Sequence, residues 1–367
     1  MVPNSKRVFY VKYLAHPVYA EIMAQRPDVR LDKLDNDSED AVAAPILAAA
    51  HAYQIVSARD EILPKYHAGH ALLARTPNLL VVSTGGVGFD PVDVKACTEA
   101  GVLVLNQAGG NREAVAEHVL GMMICLSKGI IQADRAMRRE TTLDRHSFMG
   151  NDIFGKTIGI VGIGHVGSRI AELCRGLFAM RVLACDPYLS AAEIAARGAE
   201  KVELDELLRS SDYISINCPL NDETRGMIGA KQYALMQSHA YFITSARGHI
   251  HEEAALADAL RSKALAGAGL DVWSREPPPR EHPLLQFDNV IVSPHTAGVS
   301  REARATMGRI AAEQLLDALD GRRPPRIVNP EAWPRYAARF ERAFGFAPNG
   351  ARADARESAG TLTMGGR

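Results

Sequence analysis

Thirteen residues, Gly159–Ala171 (GIVGIGHVGSRIA), constrain this chain more than any other stretch. They set Gly162-x-Gly164-x-x-Gly167 directly behind the apolar run Thr157–Val161 and ahead of a helical pattern. Glycines at that spacing say little alone. Between a strand and a helix they specify the first crossover of a parallel sheet that binds a dinucleotide. Gly162 permits the tight turn, Gly164 lets the backbone approach a pyrophosphate, and Gly167 lets the helix lie close on the strand. The helix N-terminus then turns unpaired N–H groups and a partial positive charge to the anion. Asp186 follows 19 residues after Gly167, at the end of another apolar run. A carboxylate there accepts hydrogen bonds from ribose hydroxyls and repels a 2′-phosphate. Pro187-Tyr188 brings no arginine to welcome one. NAD is therefore expected over NADP.

The flanking sequence repeats the strand–helix alternation. Before the glycine loop come RVFYVKY, QIVSA, NLLVVSTGG and VLVLN as strands, with helical AVAAPILAAAH and PVDVKACTEAG between them. After it come RVLACD, YISIN, AYFITSARG, LAGAGLDVW and NVIVSPH, giving six short strands with the first. The pattern predicts α/β architecture with two parallel sheets: a Rossmann domain, doubly wound, and a second α/β domain. Asn111–Arg138 reads as one long helix buried between domains, and Arg301–Pro325 as a terminal helix stopped by Gly321 and two prolines. Beyond Pro330 the chain is rich in Ala, Gly and Arg, and a loose tail is expected.

Composition narrows the partners. The 367 residues carry 42 Lys and Arg against 43 Asp and Glu, so no field favours nucleic acid or an anionic membrane. No apolar run reaches the roughly 18 residues of a bilayer span, and Met1–Lys12 has no apolar leader. The five cysteines are odd in number, scattered and never C-x-x-C. That argues against a disulfide framework and a zinc cage, and fits a reducing cytoplasm.

Three polar residues stand at or just beyond the ends of successive predicted strands, the edge where such sheets bind ligands. They are Arg247 in YFITSARGHI, Glu276 in GLDVWSREPP and His295 in VSPHTAG. Around them the sequence resembles the NAD-dependent D-isomer-specific 2-hydroxyacid dehydrogenases. The likeness runs over roughly residues 80–325 in VGIGHVGSRIA, CPLNDETRGMIG, ITSARGHIHEEAAL, GAGLDVWSREPP, VSPHTAG, GGVGFDPVD and NREAVAEHVLGMMI.

The resemblance implies an oxidoreductase acting on CH–OH donors, with a 2-hydroxy or 2-oxo acid as substrate. Arg247 would bind the substrate carboxylate and polarise its carbonyl, His295 would move the proton, and Glu276 would hold the other imidazole nitrogen. His165 and Val166 would offer backbone to the pyrophosphate. Asp271 would hold the nicotinamide carboxamide, and Cys218, Pro219, Ser245, Ala246 and Gly298 would line the cofactor site. Gly86, Val87, Gly88 and Asn111 would meet the substrate, with Ser57 near them. The substrate domain would be flavodoxin-like and discontinuous, comprising residues 1–106 and 296–330. The Rossmann domain, 107–295, would be inserted into it, and 331–367 would be an extension. A hinge-closing cleft and a homodimer are further expectations of the likeness.

Two departures stand out. Asn217-Cys218-Pro219 replaces a common His-x-Pro, and Phe89 varies the glycine-loop pattern. The substrate stays open. Arg59 lies where phosphoglycerate dehydrogenases place a phosphate-binding arginine, but Ser57 replaces another, and no regulatory domain is expected after residue 330. Glyoxylate or hydroxypyruvate reduction fits equally. Formate dehydrogenase is disfavoured by Glu276, and an NAD-sensing corepressor of the same fold is a separate reading. No metal is expected. His249 and His251, at an expected exposed helix start, lack a third partner, and His118 is expected to be a packed, hydrogen-bonded histidine.

Overall fold

The computed structural model describes residues 5–349. Two compact units emerge, one from residues up to Asn111 and from Arg304 onward, the other from Arg112–Ala303.

The first unit holds five parallel strands, β1 (Lys6–Val11), β2 (Val29–Leu34), β3 (Ala52–Ile55), β4 (Val81–Thr84) and β5 (Leu103–Leu105), in the order β2-β1-β3-β4-β5. That is the flavodoxin-like order. Every residue of β3, β4 and β5 is buried, as expected when helices cover both faces of a parallel sheet. One face carries Phe9, Leu47, Tyr53 and Val82, with Phe9 and Tyr53 stacked 4.1 Å apart. The other carries Val8, Tyr19, Val81 and Leu315. Strand β2 has no counterpart in the sequence reading, because VRLDKL interleaves charges with its apolar residues. In the sheet those charges pair: Arg30 Nε donates to Asp32 Oδ1 at 2.8 Å, and Arg7 Nη2 to Oδ2 at 3.0 Å. A charged edge strand also discourages pairing with another chain.

The loose tail expected from residue 331 is corrected. Trp333–Phe344 forms a helix whose Tyr336 and Phe340 are fully buried against the same face as Leu315. Trp333, Tyr336, Phe340 and Phe344 recur at three- and four-residue spacing, a helical signal that composition concealed. Asn329 ties the approach, accepting from Val104 N at 2.8 Å and donating to Val102 O at 3.0 Å. Residues 350–367 lie outside the described residues.

The second unit is a seven-stranded parallel sheet of β6 (Thr157–Val161), β7 (Arg181–Cys185), β8 (Glu200–Lys201), β9 (Tyr213–Ile216), β10 (Tyr241–Thr244), β11 (Gly267–Leu270) and β12 (Val290–Val292). Their order, β12-β11-β10-β9-β6-β7-β8, puts the reversal of winding between β6 and β9, as in a Rossmann sheet. The two-residue β8 adds a seventh strand to the six expected. The predicted long helix is two helices, Arg112–Lys128 and Ile130–Arg139, bent by 60° at Gly129, whose φ is +60°. The first packs on β10 and β11. A side chain at Gly269 would come within 2.9 Å of Met122 Sδ, so that glycine sets how closely helix and sheet approach. Among the described residues no single helix is long and apolar enough to cross a membrane.

The unit boundaries fall beyond the expected 106/107 and 295/296. Gln107 stays with the first unit through Nε2 to Ser83 Oγ at 3.2 Å and Oε1 from Gln314 Nε2 at 2.6 Å. Thr296 and Ala297 stay with the second, bonded through their N–H groups to Asp271.

Candidate active site

The glycine loop does what its spacing requires. Gly162 has φ +86°, and a side chain on it would lie 2.7 Å from Cys218 N. One on Gly167 would lie 2.3 Å from Gly162 O. At Gly164 nothing stands within 4 Å of the missing side chain. The space belongs to a cavity of about 330 Å³, lined by Arg112, Gly164, His165, Ser168, Arg169 and Arg197 among others. Gly164 caps the helix His165–Phe178 without a side chain, and a helix N-terminus of this kind suits an anion. Asp186 directly follows β7 and is held in place: its Oδ2 accepts from Ile163 N at 3.2 Å and its Oδ1 from Tyr188 N at 3.1 Å. A carboxylate has about four acceptor positions, so each oxygen keeps capacity for a ribose hydroxyl. Loop, helix end and acid together fit a dinucleotide.

Arg247, Asp271 and His295 follow β10, β11 and β12, so one sheet edge presents all three. His295 sits at φ +56°, unusual for a residue with a side chain. Asp271 holds it there. His295 N donates to the Asp271 carbonyl at 2.7 Å. The buried Asp271 carboxylate accepts from Thr296 N at 2.8 Å, Ala297 N at 3.0 Å and Ser293 Oγ at 2.6 Å. Ser293 Oγ spends its proton on Asp271, so His118 Nε2, 2.9 Å from Ser293 Oγ, must be the donor of that pair. His118 is thus the hydrogen-bonded histidine expected, tied to the loop that carries His295. Three of the four acceptor positions of Asp271 serve this loop, which leaves one for a carboxamide.

His295 Nδ1 donates to Glu276 Oε2 at 2.7 Å. Nε2 is therefore left as the nitrogen for substrate. The Glu276 hydrogen bond, helped by its charge, raises the imidazole above its ordinary 6.5, against burial and the Arg247 charge. Burial pushes the Glu276 carboxyl up, but His295, Trp273 N and Arg247 together bring it below 4.5. Glu276 Oε1 also accepts from Trp273 N at 3.0 Å. Arg247 Nη1 donates to the Ala246 carbonyl at 2.7 Å.

Residues 120–297 match the family model "D-isomer specific 2-hydroxyacid dehydrogenase, NAD binding domain". A glyoxylate reductase of Korarchaeum cryptofilum is 37% identical over 258 residues, covering 70% of this chain and 77% of that protein. The chain belongs to the D-isomer specific 2-hydroxyacid dehydrogenase family. A D-3-phosphoglycerate dehydrogenase of Archaeoglobus fulgidus is 40% identical over 252 residues, covering 69% of this chain. The chain matches only about half the length of that relative, 47%. The crystal structure of a glyoxylate reductase from Paecilomyes thermophila superposes with TM-score 0.78 at 26% identity, covering 89% of this chain and 99% of that one.

Against the family pattern, the remaining residues sort by unit. Cys218 backs Gly162. Pro219 accepts from Thr224 Oγ1 at 2.7 Å. Ser245 and Ala246 follow β10, and Gly298 follows the Asp271-bound turn. Gly86, Val87, Gly88 and Asn111 lie on the first unit. Thr84 Oγ1 and Gln107 N donate to Gly86 O, at 2.8 and 3.0 Å, and Asn106 Nδ2 to Val87 O at 3.1 Å. Asn111 Oδ1 is buried without a partner.

Sequence reasoning missed Glu253 and His282, which brace the Glu276 loop. Glu253 accepts from Ser274 N at 2.7 Å and His282 Nε2 at 3.2 Å. It also missed Arg112, Arg169 and Arg197 around the glycine loop, gathered from separate segments. His251 is corrected: it is buried beside Phe242, not at an exposed helix start, and burial pulls its pKa down to about 4. Among the described residues no three candidate ligands gather for a metal.

Proposed function

We propose that this chain interconverts a D-2-hydroxy acid and a 2-oxo acid with NAD as its cofactor. The observation that carries the reading is the His295 Nδ1–Glu276 Oε2 pair at 2.7 Å, on the sheet edge that also presents Arg247. When bound, the nicotinamide exchanges a hydride with the substrate's C2 carbon. In reduction, His295 Nε2 gives its proton to the carbonyl oxygen as that oxygen becomes a hydroxyl. In oxidation it takes the proton back. Glu276 fixes the imidazole and stabilises its charged form. Arg247 pairs with the substrate carboxylate and draws electron density from the adjacent carbonyl. On the first unit, Gly86, Val87 and Gly88 are the proposed backbone contacts for a substrate carboxylate, with Asn111 a further substrate contact. Asp186 selects NAD over NADP by accepting from the ribose hydroxyls and repelling a 2′-phosphate.

We further infer a cytoplasmic homodimer. Five free cysteines fit a reducing compartment, and Met137, Met149 and Phe154 leave exposed apolar surface on the second unit.

The test is NADH oxidation with glyoxylate, hydroxypyruvate, pyruvate, phenylpyruvate, 2-oxoisocaproate and phosphohydroxypyruvate, with NADPH alongside. Turnover of at least one acid, favouring NADH, is expected. His295→Ala should lower kcat by about two or more orders of magnitude while NADH still binds. Full activity in that variant overturns the proton-transfer role, and silence from the native protein across the panel overturns the enzyme reading.

A further inference from the structure

The smaller sheet has its own switch of winding. In the order β2-β1-β3-β4-β5 the chain reverses between β1 and β3, and ligands of open parallel sheets bind beyond the strand ends at such a point. A small cavity lies there. It is lined by Tyr13 after β1, Gln54 and Ser57 at the end of β3, Gly85 after β4, and Glu61 and Arg304.

Its chemistry is specific. Gln54 stands in a fully buried strand, and its Oε1 is buried with no hydrogen-bond partner. An orphaned buried acceptor is costly and calls for a donor. The Tyr13 hydroxyl is already committed to Glu61, and with burial this raises the phenol to about 12, so Tyr13 stays protonated. Glu61 also accepts from Ala58 N at 3.3 Å. The cavity offers about 10 Å³ to the centre of a water-sized group, which is room for one such group. Arg304 sets a positive charge in the cavity beside the Glu61 carboxylate, but a phosphate brings only acceptors to Gln54 Oε1, which needs a donor. A hydroxyl fits in size and supplies the missing donor.

The cavity adjoins the substrate loop. A side chain on Gly86 would lie 3.0 Å from Ser57 Oγ. An acid whose carboxylate rests on Gly86–Gly88 carries C3 two bonds, and a hydroxyl on C3 three bonds, from the carboxylate carbon.

We propose that this cavity reads a hydroxyl on C3 of the substrate, so that the chain acts on 3-hydroxy-2-oxo acids such as hydroxypyruvate, with Gln54 as the residue that sets this preference. The inference rests on the activity proposed above. Pyruvate differs from hydroxypyruvate by that oxygen alone, and phosphohydroxypyruvate replaces the donor with a phosphate.

Steady-state kinetics with NADH decide it. In the native protein, kcat/KM for hydroxypyruvate should exceed that for pyruvate by about 10- to 100-fold, the worth of one buried hydrogen bond left unmade. It should also exceed that for phosphohydroxypyruvate. Gln54→Leu should shrink the hydroxypyruvate-to-pyruvate ratio at least tenfold. If that variant does not fold, competitive inhibition of the native protein substitutes for it, with D-glycerate expected to bind about tenfold or more tighter than D-lactate. Equal ratios, a preference for the phosphorylated acid, or a Gln54→Leu ratio unchanged from native each overturn the assignment. Silence with every 2-oxo acid overturns the proposed activity instead, so the two failures are distinct.

Discussion

His295 carries the most information per residue, because its environment fixes both its tautomer and the direction of its titration. Glu276 raises the imidazole above 6.5. In 2-oxo acid reduction the charged form is the proton donor, so activity should hold on the acid side and fall as pH rises through that raised pKa. The reverse reaction should rise through the same point. Glu276→Gln keeps the shape and removes the charge, so both limbs should move to lower pH, with reduction at pH 7 falling about 10- to 100-fold. A pH profile of kcat/KM unmoved by the substitution would assign Glu276 no part in setting the proton. Stability follows the same signs. The His295 contribution is complete below pH 6.5 and is lost as pH rises through the raised value. The Glu276 contribution is complete above 4.5 and is lost as pH falls through its lowered one. His295 and Glu276 were legible in the sequence as members of motifs. Their direct contact followed only from the family resemblance, since 19 residues and two loops separate them, and the structure makes it.

At the scale of elements, the helix Trp333–Phe344 shows how a composition reading misleads. Alanine and arginine dominate the segment, yet its aromatics recur at helical spacing. Tyr336 and Phe340 complete one face of the first unit's core. The fully buried Phe340 touches Tyr336, Phe344 and Phe346. Phe340→Ala should therefore cost about 3–5 kcal/mol of stability by urea denaturation, as for other buried aromatics. A cost under about 1 kcal/mol would mean that the helix is dispensable to the core. Strand β2 hid for the opposite reason: its Asp32 is satisfied by Arg30 within the strand and by Arg7, a partner 25 residues away.

At the scale of the molecule, each unit buries its own core, and the proposed cofactor residues all fall in the second. NADH bound to the folded state alone should stabilise the chain by about 2.7 kcal/mol at a concentration 100 times its Kd. NADPH at the same concentration should give much less if Asp186 takes the ribose hydroxyls as proposed. Equal upward shifts of the melting temperature with the two nucleotides would remove Asp186 as the selector. The chain's alternation of apolar runs, its glycine spacing and the types of its polar residues were enough to define two parallel α/β sheets and the dinucleotide loop, and to single out Arg247, Glu276 and His295 as candidates. These are local properties, because strand ends, turns and helix starts are written in contiguous residues. Tertiary structure alone decided that Asp271 spends most of its carboxylate on the loop of His295, that Gln54 keeps a buried acceptor open at the switch of the smaller sheet, and that His251 is buried without a partner. Each depends on which distant groups reach a given atom, and hydrogen-bond satisfaction in a packed interior is settled only when the elements are in place.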